Sequence, residues 1–251
     1  MVKVFLSGVI IVAGIAGYMM WPHEEVTVKP AAQPVLPTPL FTPTPSATPT
    51  STPKPTALPI PQPYDVPFTA QAPTANWGDK LYQNACEESS ILMAARWLAG
   101  DTITPQYALV EIRVLADRAK ALFGNHLDES ARDTATLAQD YLPDASVELI
   151  EQAASKDIIN SISSGKVVLV PLNGKMLKNP YYKPPGPLRH MLVVKGYDSN
   201  TKEFITNDPG TRVGKGYRYN EDVLFAAMHD WDTGDNAQVY PDRKVVIAIG
   251  Q

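Results

Sequence analysis

The chain has 251 residues, room for one or two domains, with 44% apolar residues and a formal charge of −4. That balance offers no global basic patch for nucleic acid. A single cysteine excludes an intramolecular disulfide, a zinc ribbon and a CxxC redox pair.

Val4 to Trp21 is an almost unbroken apolar run without charge. At about 18 residues it is near the lower limit for a membrane-spanning helix. Lys3 precedes it and Glu24 and Glu25 come after it, so the N-terminus is expected inside and the rest outside. The competing reading, a cleaved signal peptide, needs small residues after the apolar core; here the run ends in Tyr18-Met19-Met20-Trp21. Residues 1–22 are therefore read as an anchor, with a signal peptide and secretion as the alternative. Both readings place the rest of the chain outside the cytoplasm.

Of the 24 prolines, more than half lie between Pro30 and Pro67. Residues 23–63 are Pro/Thr/Ser-rich and cannot bury enough apolar surface to offset their ordering entropy. Proline makes such a segment extended and semi-rigid, a tether or stalk.

A globular domain is expected over 64–251. A helix starts at Cys86, with Ile91, Leu92, Ala95 and Leu98 on one face and Gly100 as its stop. Thr104-Pro105 opens a second helix, as N-cap and first-turn proline, which ends at Gly124. A third runs from Ser130 to Leu142. Val147–Ile150 reads as a short strand, and Ser155 starts a helix that stops at Gly165. Lys166–Leu172 is a β-branched strand, followed by a long loop from Asn173 to Leu188. Strands at His190–Tyr197 and Glu203–Thr206 flank a turn at 198–202. Asn220 caps a short helix, and Lys244–Ile249 is the last strand. Helices first and an antiparallel sheet afterwards is an α+β pattern.

Cys86 stands at a helix N-terminus, where unpaired N–H groups and the dipole favour a thiolate. It reads as a nucleophile or as a buried structural cysteine. A nucleophile needs a base. Of four histidines, His23 lies beside the apolar run, His126 in a polar loop and His229 at a helix end. His190 begins a strand after a long loop, where a sheet edge can present it to a cleft. If the following turn centres near Ser199-Asn200, opposed residues sum to 398–400. An even sum places Asp208 on the face of His190; an odd sum favours Asn207. A carboxylate beside the imidazole fixes its tautomer. For an oxyanion donor, Gln71 precedes the cysteine on an irregular stretch; Gln83 is the alternative, with less chain to double back. Tyr181 and Tyr182 either line a groove or pack their loop.

Together, Val66-Pro67-Phe68 with Gln71, Asn84-Ala85-Cys86-Glu87-Glu88-Ser89-Ser90, His190–Asp198 and Asp208-Pro209-Gly210 resemble the bacteriocin-processing, double-glycine-type cysteine peptidases of the papain superfamily. The likeness is to their exported relatives on bacterial surfaces and spans the whole globular part. It implies a papain-like fold in which a nucleophile helix packs on an antiparallel sheet carrying His and Asp. It implies Cys86 as nucleophile, His190 as base, Asp208 as orienter and Gln71 in the oxyanion hole. Many relatives have Cys-Gly-Pro, whereas this chain has Cys86-Glu87-Glu88; two first-turn carboxylates suit the helix dipole but oppose a thiolate.

The expected activity is hydrolysis of peptide bonds by a membrane-anchored extracytoplasmic cysteine peptidase. It would be monomeric, without cofactor or metal, and act on a peptide or protein. The alternatives are a catalytically weak binding module at the cell surface, and a cell-wall amidase or transpeptidase using the same triad.

Overall fold

The central strands are apolar on both sides because the sheet is covered on both faces. In this computed structural model residues 63–234 and 238–251 are described; the expected anchor and nearly all of the linker lie outside them. Eight strands are present among the described residues: β1 (Ser146–Glu151), β2 (Val167–Leu172), β3 (His190–Asp198), β4 (Glu203–Asn207), β5 (Lys215–Asn220), β6 (Asp230–Trp231), β7 (Val239–Tyr240) and β8 (Val245–Gly250). Six form one antiparallel sheet in the order β1-β8-β2-β3-β4-β5, and β6 and β7 pair separately.

Strand alternation splits the core in two. Met191 and Val193 of β3, Leu169 of β2, and Ile247 and Ile249 of β8 face one layer of helices. That layer holds α2 (Cys86–Leu98), α3 (Pro105–Phe123) and α4 (Ala131–Tyr141), which contribute Leu92, Ile112 and Leu137. Their neighbours Leu192, Val194, Val246 and Ala248 face the other side, with Ile158 and Ile162 of α5 (Ser155–Ser163) and Leu224 of α7 (Glu221–Ala227). Two one-turn helices, α1 (Lys80–Gln83) and α6 (Gly174–Leu177), complete the set among the described residues.

Helix ends obey the local chemistry. The Thr104 side chain accepts from Tyr107 N, Pro105 opens α3, and Gly124 closes it at φ 82°. The Ser130 side chain accepts from Asp133 N at the start of α4. Sequence patterning misses α1, α6, β5, β6 and β7. They are two to six residues long and lack strong periodicity; β5 alternates Tyr217 and Tyr219 with Gly216, Arg218 and Asn220 at a sheet edge.

The β3–β4 hairpin contains the detail that matters for the site. Near the turn the register sums to 401, as in Asp198 opposite Glu203; past a bulge at Lys195 it sums to 400, as in Val193 opposite Asn207. The extra residue reverses the parity of every side chain beyond it. The Lys195 carbonyl accepts from Tyr64 N at 3.0 Å, and a Cβ on Gly196 would stand 2.7 Å from Pro63 Cβ. The start of the domain is thereby laid over the bulge.

Candidate active site

Asp208 comes directly after the last residue of β4. With the bulge in place it lands on the face of His190 rather than on the face of Asn207. Asn207 turns the other way and donates from Nδ2 to the Val66 carbonyl at 3.0 Å. His190 Nε2 lies 2.8 Å from Asp208 Oδ1, and Gly210 N donates to the same oxygen at 2.9 Å. Oδ2 accepts from Tyr182 Oη at 2.5 Å, Tyr219 Oη at 2.6 Å and Asn179 Nδ2 at 3.4 Å. The carboxylate is fully buried. Burial alone would raise its pKa, but the His190 charge and hydrogen bond, with the two tyrosine hydroxyls, hold it below the ordinary value. Tyr182 therefore packs its loop against the acid and stands edge-on to the imidazole at 5.5 Å, while Tyr181 is exposed. Patterning missed Asn179 and Tyr219 as partners, because one comes from the long loop and the other from β5.

Cys86 is the first residue of α2, as expected, and is buried. Cys86, His190 and Gln71 line one cleft of about 470 Å³, with Trp77 and the proline-rich turn at 184–187 on its rim. A larger cavity of about 840 Å³, between Ser130, Glu151 and Arg243, contains none of these three. With Nε2 committed to Asp208, Nδ1 is the imidazole nitrogen left for the thiol.

The resting thiol departs from the expected thiolate. Its hydrogen goes to Glu87 Oε2 at 3.1 Å. Burial, then the charges of Glu87 and Asp128, push the Cys86 pKa well above the ordinary thiol range. The helix dipole is outweighed first by burial of the thiol and then by the acid on the next residue.

Glu87 is one of three buried acids behind the nucleophile. Glu88 shares the first turn of α2, and Glu129 comes from the loop before α4. Burial, and the charge of Glu129, push the Glu87 and Glu88 carboxyls far above the carboxylate range. Burial, with the charges of Asp128 and Asp133, pushes Glu129 up to about 7. Glu129 carried no sequence signal; only the tertiary approach of its loop to α2 brings it here.

Gln71 reaches the cleft because its backbone N–H donates to the Pro209 carbonyl at 2.9 Å. Its Nε2 donates to the carbonyls of Gln83 at 2.7 Å and Tyr82 at 3.1 Å, just ahead of Cys86. The alternative donor, Gln83, gives its Nε2 to the Trp77 carbonyl at 2.6 Å. His229 is buried and its pKa is lowered by burial and by Lys244; like His126, it does not line the cleft.

A model of the Peptidase_C39 like family matches residues 63–236. No curated protein matches the chain. Among solved structures, a Bacillus anthracis protein named as a C39-like peptidase is similar at 15% identity. The match covers 75% of this chain and 96% of that one, with a TM-score of 0.48.

Proposed function

The chain belongs to the Peptidase_C39 like family, and from that premise we propose that it is a cysteine peptidase built on Cys86, His190 and Asp208. The observation that carries the reading is the His190–Asp208 pair, 2.8 Å apart, on the wall of a cleft that also holds Cys86 at a helix start. In this reading His190 Nδ1 takes the thiol proton as Sγ attacks a peptide carbonyl carbon. The Cys86 N–H and the Gln71 amide stabilise the oxyanion, Gln71 releasing one of its two carbonyl partners to do so. The imidazolium returns its proton to the leaving amine, and water releases the acyl group. Asp208 holds the ring and its tautomer throughout. The apolar run from Val4 to Trp21 and the proline-rich segment behind it support a membrane-tethered domain outside the cytoplasm.

The test is turnover of a peptide library by the full-length chain. Cys86→Ala and His190→Ala each abolish cleavage while circular dichroism and melting stay native. Cleavage that persists in either variant overturns the mechanism.

One observation favours a second reading, a binding module that kept the fold without catalysis: the thiol is buried and held by Glu87. That reading expects no cleavage of any peptide by the wild-type chain, and retained peptide affinity in Cys86→Ala.

A further inference from the structure

Glu87, Glu88 and Glu129 are each 0% exposed. Five of their six carboxylate oxygens have no hydrogen-bond partner: Oε1 of Glu87 and both oxygens of Glu88 and Glu129. Only Glu87 Oε2 is engaged, by the Cys86 thiol. Among the described residues no lysine, arginine or histidine forms an ion pair with any of the three. The nearby Arg189 is paired with Asp128 at 2.7 Å. The hydroxyls of Ser89 and Ser90, next along α2, are also buried without a partner.

A folded chain does not leave so many acceptors dry without relief. A buried, unpaired carboxylate is strongly destabilising, because nothing replaces the water it has lost. Protonation removes the charge but still leaves a buried acid whose hydroxyl and carbonyl need hydrogen bonds. Here the carboxyl groups form none with one another. Yet one oxygen from each acid lies within 4.8 Å of one oxygen from each of the others. That is the spacing of oxygens around a shared ion. Calcium–oxygen distances of about 2.4 Å set two oxygens on opposite sides of the ion roughly 4.8 Å apart, and neighbouring ones closer.

We propose that Glu87, Glu88 and Glu129 form a buried site for a hard divalent cation, directly behind the nucleophile helix start. The donor set is all oxygen, with no thiolate or imidazole among the three, which selects calcium, magnesium or manganese over zinc or copper. Three carboxylates carry ample charge for a doubly charged ion. The site joins the first turn of α2 to the loop that precedes α4. An ion would therefore fasten these two elements together, and it would share Glu87 with the Cys86 thiol. Sequence patterning could not find it, because the third ligand is 41 residues from the second.

The experiment uses the full-length chain, stripped with EDTA and then titrated with calcium, magnesium or manganese. Equilibrium dialysis with elemental analysis is expected to give one saturable ion per chain. Melting temperature should rise by roughly 5–10 °C at a hundredfold excess over Kd. Terbium supplies a second readout, since the Trp231 indole N–H donates to the carbonyl of Asp128, the residue before Glu129, and so sits close enough to sensitise a lanthanide there. Glu88→Gln and Glu129→Gln are expected to lower affinity at least tenfold and to quench that luminescence. No stoichiometric ion on the wild-type chain, by dialysis and by terbium emission, overturns the proposal. So does binding that Glu88→Gln and Glu129→Gln both leave intact. Dialysis of the wild-type chain decides the matter even where a variant fails to fold.

Discussion

The Cys86 thiol gives its hydrogen to Glu87, its own neighbour in the chain, at 3.1 Å, and no hydrogen bond joins it to His190. The resting nucleophile is therefore held in check by an acceptor one residue away. Replacing Glu87 by Gln removes the acid that helps to raise the thiol pKa and keeps an acceptor. In EDTA-treated protein, Glu87→Gln is expected to lower the thiol pKa and so raise iodoacetamide labelling at pH 7 by about tenfold. Wild-type labelling should rise only above the ordinary thiol range. Equal pH profiles for the two proteins would show that Glu87 does not control the thiol.

Asp208 takes five hydrogen-bond donors in the dry interior. Removing it leaves two tyrosine hydroxyls, the Gly210 N–H and the imidazole without that acceptor, while Asn179 Nδ2 keeps Tyr219 Oη. Asp208→Ala is expected to cost about 3–5 kcal/mol, read by urea unfolding. The sign of its pH dependence comes from its depressed pKa. Because the folded value lies below the unfolded value of about 3.9, the contribution is complete above pH 4 and is lost as pH falls through the folded pKa. Asp208→Asn should remove that acid-sensitive part of the unfolding curve, and a curve unchanged below pH 4 would contradict the assignment.

Gly210 has no room for a side chain. A Cβ there would stand 2.8 Å from His190 Cε1 and 3.0 Å from Tyr182 Cε1. Gly210→Ala must push the imidazole aside. Cleavage should fall on the order of 100-fold in kcat, since a displacement of about 1 Å suffices for that, with a folded protein by near-ultraviolet circular dichroism. Wild-type kcat in this variant would mean that the ring position is not critical.

Ile247 is fully buried in the layer beneath α2 and α3. Ile247→Ala removes three heavy atoms from a close-packed face and should cost about 2–5 kcal/mol. A fall in melting temperature on the order of 10 °C is expected. A change below about 1 °C would place this residue outside the cooperative core.

Much of the fold could be read from the chain itself. Helix starts at Thr104-Pro105 and Ser130, the stop at Gly124 and the apolar runs of β2, β3 and β8 are local signals, and the structure keeps them. The α+β order of helices before sheet rests on the same signals. Cys86, His190 and Asp208 were each visible as residues, because a helix N-terminus, a strand start and an Asn-Asp-Pro-Gly turn are set by neighbours in sequence. What joins them is not local. Ladder parity near the β3–β4 turn is odd, which by itself points to Asn207. One extra residue at Lys195, covered by Pro63 and Tyr64 from far along the chain, makes it even and delivers Asp208. The state of the thiol was likewise undecided in sequence. A helix dipole and two first-turn carboxylates pull in opposite directions, and their balance depends on how dry the site is. Only the tertiary packing that buries Cys86 decides it: burial itself opposes the thiolate most, and the charges of Glu87 and Asp128 act in the same direction.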